Sequence, residues 1–220
     1  MIIAIDGPAA SGKSTTAQLV AREFGLLYID TGAMYRAVAL EVIKQSIDLD
    51  DFIALETMLE NINIEFGVQS SQLSIFLNGE DVSEAIRTPE ITTMSSKVAT
   101  IKIIRQKMVE MQRKLSLNHD VILDGRDIGT VVFPDADFKF FLTASLETRA
   151  KRRFEELTQK GINVDLEDIK QDLVWRDMND SSRKEAPLKK AEDSIEINTS
   201  EMTIEEQVNV IIKRIREKIA

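Results

Sequence analysis

The string Gly7-Pro8-Ala9-Ala10-Ser11-Gly12-Lys13-Ser14 sets glycines, a lysine and a hydroxyl at the spacing G-x-x-x-x-G-K-[ST]. Glycines let a backbone curl until successive N–H groups face one point, which is how a main chain cradles phosphate. The lysine can then reach the β- and γ-phosphates of a nucleotide, and the hydroxyl after it can ligate Mg2+. With glycine at about 7% of residues, chance yields this pattern in about one chain in a hundred of this length. The surroundings also fit: Met1 to Ile5 is a continuous apolar run, and a helical pattern opens within the string. A helix N-terminus there adds partial positive charge toward an anion. The stretch Gly7, Pro8, Ala9, Ala10, Ser11, Gly12, Lys13, Ser14 and Thr15 is therefore predicted to bind a nucleoside triphosphate.

Other strings offer chemistry on an acceptor side. Asp30-Thr31-Gly32-Ala33-Met34-Tyr35-Arg36 sets a hydroxyl and an arginine at the end of a second apolar run, the edge of a parallel sheet where ligands bind. A capped helix start with a solvated arginine would read the same way. Asp124-Gly125-Arg126-Asp127 follows the apolar Val121-Ile122-Leu123; its carboxylates suit Mg2+ and its arginine an anion, although a plain turn could carry them too. Arg149, Lys151, Arg152 and Arg153 share one helical stretch, and Arg176, Asp180 and Arg183 lie close together in the next. Guanidinium groups match phosphate oxygens bidentately, whereas charge pairs along a helix are commonly just a solvated face. The guanine-reading string N-K-x-D of a GTP-dependent switch is absent. His119 is expected at the surface end of a strand, and Trp175 and the eight methionines in the core.

Elements must position these residues. Apolar runs at Met1–Ile5, Leu26–Ile29, Val121–Leu123 and Phe138–Leu142 alternate with helical patterns over Lys13–Phe24, Met34–Ile43, Ser145–Lys160 and Leu166–Met178, and Ile195-Glu196-Ile197 is a last short strand candidate. Runs that are apolar throughout, not at alternate residues, indicate strands buried on both faces. Thr203 with Glu206 makes a capping box for a last helix carrying Ile204, Val208, Ile211, Ile212 and Ile215. The predicted fold is α/β, a parallel sheet flanked by helices. The middle departs from it: Ile62, Ile64 and Phe66, then Leu73, Ile75 and Leu77, alternate with polar residues. Asn78-Gly79 signals a tight turn, with Val82 on a short return strand, so residues 62–85 are expected to form a small antiparallel insert.

Composition narrows the function classes. Twenty-eight basic and 37 acidic residues give a formal net charge of −9, a poor footprint for nucleic acid or anionic lipid. With no cysteine and one histidine, thiolate and histidine-cluster metal sites are excluded and a Ser-His-Asp triad is disfavoured. No run approaches the ~18 apolar residues of a membrane span. Met1–Ile5 lacks the length and basic flank of a signal peptide, so a cytoplasmic location is expected.

Together the strings IDGPAASGKS (5–14), DTGAMYR (30–36), DGRDIGTVVFPDA (124–136) and RDMNDSSRKEAPL (176–188) resemble the bacterial cytidylate kinases, P-loop enzymes that phosphorylate CMP and dCMP with ATP. The resemblance runs from Met1 to the last helix. It implies a P-loop core over residues 1–30, 115–145 and 190–220, an acceptor lobe with the antiparallel insert over 31–114, and a helical lid with its following helix over 146–189, in one domain. It implies that Lys13, Arg126, Arg153 and Arg183 assist transfer, and that Ser14 and Asp124 serve Mg2+. Thr31, Arg36, Arg126 and Arg183 would meet the acceptor phosphate; Ser96, Arg105 and Asp127 the cytosine; Arg176 and Asp180 the sugar. Ser96 and Arg105 rest on the looser string SSKVATIKIIR (95–105), and either Ser14 or Thr15 could touch the metal. A mobile lid around Arg149 to Lys160 and a monomer are also implied. The rival readings are a P-loop kinase for UMP, AMP or a metabolite hydroxyl, and, from another class, a nucleotide-binding switch or ATPase module; a homologue without catalysis is the third.

Overall fold

The computed structural model describes residues 1–69 and 72–219, without the side chains of 68, 69, 72 and 73. Leu73, one of the alternating residues named above, has its side chain among those. The chain divides into two compact units, Met1–Tyr28 with Ser116–Ala220 and Ile29–Leu115.

A five-stranded sheet runs through the first unit; across it lie β2 (Leu27–Asp30), whose Leu27 and Tyr28 belong to this unit, β6 (Val121–Gly125), β1 (Ile2–Asp6), β7 (Phe138–Thr143) and β8 (Ile195–Asn198). β1 pairs in parallel with β6 and β7, and β7 with β8. Ile3, Ala4, Ile5, Ile122 and Leu123 are fully buried, as runs without polar alternation require when helices cover both faces. α1 (Lys13–Phe24) follows β1 directly and stops at Gly25, whose left-handed φ of 66° ends the helix where the sequence places the stop. α6 (Leu146–Gln159), α7 (Leu166–Ser182) and α8 (Ile204–Ile219) complete the unit. Thr203 and Glu206 close the capping box at α8: the Thr203 N–H donates to Glu206 Oε2 at 2.8 Å, and the Glu206 N–H to Thr203 Oγ1 at 3.2 Å. Because β6 lies beside β1 with Asp6 level with Gly125, the loops leaving both strands emerge side by side.

The second unit holds α2 (Thr31–Lys44), α3 (Phe52–Asn61), α4 (Pro89–Val98) and α5, which runs from Lys102 and ends at Ser116. Its antiparallel sheet is β3 (Ile64–Gln69), β4 (Gln72–Leu77) and β5 (Glu80–Asp81). Asn78 and Gly79 both have positive φ, 52° and 85°, the backbone of a two-residue hairpin turn. Two details depart from expectation. Ile62 precedes β3, and Val82 sits just past β5, although its N–H still donates to Ile75 O at 3.0 Å. Helices α3, α4 and α5 were not anticipated around the insert. The signals for α4 are local: Thr88 caps it through the Ile91 N–H, and Pro89 occupies its first turn.

The expectation that Trp175 and all methionines lie in the core fails. Trp175 is 42% exposed and Met178 64%, both on α7. The inward face of that helix is taken by Ile169 and Leu173, which leaves the larger residues outside.

Candidate active site

The loop between β1 and α1 is compressed against its neighbours. A Cβ on Gly7 (φ 146°) would stand 2.0 Å from Leu142 O, and one on Gly12 (φ 93°) 2.7 Å from Gln207 Oε1, so neither position accepts a side chain without movement. Ala10 adopts φ 59°, left-handed backbone that costs an L-residue about 1 kcal/mol, and its methyl packs with Ala9 onto Ala150, Ile169 and Leu173 of α6 and α7. Lys13 is buried and folds back over the loop, its Nζ donating to Pro8 O at 2.6 Å and lying 3.4 Å from Ser11 Oγ. Burial first, and the nearby Arg126 charge second, push its ammonium down to about 7, against the pull of Asp124, Asp6 and Asp180. This lysine is held in a desolvated position that an anion would relieve.

Asp124, at the end of β6, faces the start of α1. Its Oδ2 accepts from Ser14 Oγ at 2.7 Å and its Oδ1 from Tyr28 Oη at 2.7 Å. Asp6 sets the turn that follows β6: its carboxylate accepts the Ile128 and Gly129 N–H groups at 2.9 and 2.8 Å. Burial raises its carboxyl to about 6 even so. That turn, Ile128–Val132, is a single π-helical turn preceded by the buried Asp127.

Arg126 points to α7. Its Nε donates to Asp180 Oδ2 at 2.7 Å, and Arg183 Nη1 lies 3.7 Å from Asp180 Oδ1. Burial opposes ionisation of Asp180, but Arg126 and then Arg183 outweigh it and hold the carboxyl below its ordinary range. Arg176, expected with Asp180 to hold the sugar, has Asp172 as an ion-pair partner at 3.8 Å, one turn back along α7. Burial first, and the Arg126 charge second, lower its pKa. Arg153 pairs with Glu156 at 2.7 Å on its own helix, and its positive charge bears on Arg176. Arg149 is a buried pin, not a surface charge. It grips Asp177 at 2.7 and 3.1 Å and donates to Ala144 O and Ala9 O.

In the second unit, Asp30 caps α2 through the Ala33 N–H at 2.8 Å and accepts from Arg36 Nη2 at 3.1 Å. The capped helix start weighed above is thus present, with Arg36 paired and about a quarter exposed. Thr31 is buried beside the cap. A Cβ on Gly32 would come within 3.1 Å of Asp30 Oδ1 and 3.2 Å of Arg36 Nη1, so glycine keeps that pair in place. Arg105 on α5 donates to Ala99 O at 3.1 Å and lies 5.6 Å over the Tyr35 ring. Ser96 on α4 turns its hydroxyl to Thr92 O at 3.5 Å.

The family model described as cytidylate kinase matches residues 3–217. The chain belongs to the cytidylate kinase family. It is 50% identical over 218 residues to a cytidylate kinase of Lactobacillus gasseri, an alignment covering 99% of this chain and 95% of the relative. Against a cytidylate kinase of Fusobacterium nucleatum it is 49% identical over 217 residues, covering 99% and 98%. Among solved structures, an uncharacterized protein from Eubacterium ventriosum superposes with a TM-score of 0.52 at 15% identity, covering 98% of each chain; that likeness concerns the fold. Family membership excludes the switch reading and places the phosphate loop in a phosphotransferase.

Within the first unit the fold thus brings Lys13, Ser14, Asp124, Arg126, Asp180 and Arg183 into one charged group. Asp6, Tyr28 and the pairing of Asp180 with Arg126 escaped the sequence reading. Asp6 stands directly before Gly7 at a strand end, a signal that was available; the Tyr28–Asp124 contact joins residues 96 positions apart and has none. The donors Ser14 and Asp124 are hard oxygens, which suit Mg2+. Among the described residues no group of three or more acidic, histidine or cysteine side chains could cage a metal, so two protein donors completed by phosphate and water are the arrangement available.

Proposed function

We propose that the chain transfers the γ-phosphoryl group of ATP to a phosphate oxygen of CMP or dCMP, giving ADP and CDP or dCDP. The observation that carries this reading is a buried, charge-suppressed lysine inside a phosphate loop, beside an arginine–carboxylate group at the ends of β1 and β6, in a member of the cytidylate kinase family.

No general base is needed. A phosphate monoester has a second pKa near 6, so at neutral pH the acceptor oxygen is already ionised. It bonds to the γ-phosphorus as the bond to the β,γ-bridging oxygen breaks, and the electron pair leaves on ADP. The protein supplies in-line positioning and counter-charge for the transferred group. Lys13 exchanges Pro8 O for the β- and γ-phosphates, while the N–H groups of Gly7 to Thr15 hold the triphosphate. Ser14 and Asp124 would hold Mg2+; Ser14, not Thr15, is the hydroxyl in contact with that carboxylate. Bound there, the ion would neutralise phosphate charge. Arg126 and Arg183, with Arg153, stabilise the group in flight; Thr31 and Arg36 orient the acceptor phosphate, which also draws on Arg126 and Arg183. Asp127, Ser96 and Arg105 read the cytosine edge, and Arg176 and Asp180 hold the sugar. In this reading residues 146–189 act as a lid that shields the transfer from water. The protein acts as a cytoplasmic monomer.

The test is ADP release with CMP, dCMP, UMP, AMP and shikimate offered separately. CMP and dCMP are expected to give the highest kcat/KM, with little ADP formed when no acceptor is present. Preference for AMP, UMP or shikimate, or hydrolysis independent of acceptor, would overturn the assignment.

A further inference from the structure

A loop that turns its N–H groups inward must turn its carbonyls outward, and each buried carbonyl needs a donor. Two of these donors are already described: Lys13 serves Pro8 O and Arg149 serves Ala9 O. A third comes from the far edge of the sheet. Thr199, fully buried just after β8, places its Oγ1 3.0 Å from Ser11 O and 3.0 Å from Thr143 O. A hydroxyl has one hydrogen to give. Thr143 O already receives the Thr199 N–H at 2.7 Å, so of the two carbonyls Ser11 O is the one the hydroxyl hydrogen must serve. Arg152 fixes that choice from behind. Its Nη1 donates to Thr199 Oγ1 at 3.0 Å and its Nη2 to Thr199 O at 2.6 Å, so the hydroxyl oxygen accepts from a cation and must donate away from it.

We propose that Thr199, oriented by Arg152, is a positioning residue for nucleotide binding: it holds the Ser11–Gly12 peptide with its N–H turned into the phosphate loop. The carbonyl of Ser11 and the N–H of Gly12 belong to one peptide group. A donor on the carbonyl therefore both fixes the direction of that N–H and polarises it toward a phosphate oxygen. The chain Arg152–Thr199–Ser11 brings a positive charge to bear on the loop without placing a cation in it. Gly12 needs such a hold, because its φ of 93° is relaxed only for glycine and the peptide has no side chain of its own to lock it. The proposal rests on the reading of Gly7 to Thr15 as the triphosphate loop.

Calorimetric binding of ATP and of CMP to the full-length protein tests it, with Thr199→Val, Thr199→Ser and Arg152→Met. Binding of ATP by the wild type checks the reading of the loop; its absence would remove that reading. Given that binding, Thr199→Val should weaken ATP about tenfold, as expected when a buried carbonyl loses its donor, and leave CMP within about twofold. Thr199→Ser, which keeps the hydroxyl, should restore the ATP affinity. Arg152→Met should show a smaller loss with the same selectivity, and keeps the question decidable if Thr199→Val does not fold. In a double variant the two losses should be less than additive, because both act through one hydroxyl. Unchanged ATP affinity in the folded variants, or equal weakening of ATP and CMP, would overturn the proposal.

Discussion

In the proposed mechanism the phosphate loop and the turn at the start of α2 each present a cation to phosphate, yet they hold it in opposite ways. Lys13 is buried, rests on a main-chain carbonyl and is pushed toward neutrality by its surroundings. Arg36 stays about a quarter exposed and is paired with Asp30, a carboxylate that also caps the helix. The first arrangement stores unfavourable desolvation that a triphosphate can relieve. The second keeps its cation neutralised by a local partner until an acceptor phosphate competes for it. The proposed donor lysine is thus a desolvated group within a tight loop, whereas the proposed acceptor turn is a capped helix start with one arginine paired to its cap.

The largest effect should come from breaking the rigid side. Lys13→Ala should cost ~3–4 kcal/mol of transition-state stabilisation, the scale of one preorganised electrostatic contact. Its thermal stability should change little, because losing the donor to Pro8 O opposes the relief of a desolvated ammonium. Steady-state kcat/KM together with a melt would check both halves, and near-normal turnover in the folded variant would refute the loop assignment. Arg36→Ala should cost less, ~2 kcal/mol in kcat/KM, as for a hydrogen bond to a charged group. The loss should be similar for CMP and UMP, since phosphate and not the base is held. Arg36→Lys should recover only part, because it keeps the charge and loses the fork.

In the proposed mechanism base choice lies outside both cations. The Asp127 carboxylate can accept from the cytosine amino group but faces a carbonyl oxygen in uracil. Asp127→Ala should therefore narrow the CMP-to-UMP ratio of kcat/KM at least tenfold, ~1.4 kcal/mol. Proportional losses on both nucleotides would assign Asp127 to the scaffold. The smallest effect is expected in the hairpin of the second unit. Gly79 has φ 85°, and an added Cβ would meet nothing within 4 Å, so Gly79→Ala carries a backbone cost alone. Denaturant unfolding should report a loss of ~1 kcal/mol, with kcat unchanged.

The contrast also explains what could be read from sequence. The phosphate loop is contiguous, so its glycines, lysine and hydroxyl announce themselves, and the apolar runs of β1, β6 and β7 follow from burial on both faces. The alternation in β3 and β4 marked the insert as a half-buried sheet, and the β4–β5 hairpin was legible from Asn78-Gly79. Helices α3 to α5 were not: in α5 only Ile104, Arg105, Met108 and Gln112 are buried, and two of these are polar, so the apolar stripe is broken where it would be sought. Charge partners were the least legible. Arg126 and Asp180 are 54 residues apart, and Arg149 reaches Ala9 across 140, so the fold alone assigns these contacts. Asp180 takes Arg126 as its closest partner, and Arg176 takes Asp172, contacts that spacing along α7 alone does not assign.

In this reading a donor loop with its lysine and an acceptor turn with its arginine divide the labour of holding the two nucleotides. Separate equilibrium titrations of ATP and CMP into Lys13→Ala and Arg36→Ala test it most directly. Crossed losses are expected: Lys13→Ala weakens ATP and spares CMP, while Arg36→Ala weakens CMP and spares ATP. Equal weakening of both nucleotides by either variant would contradict it.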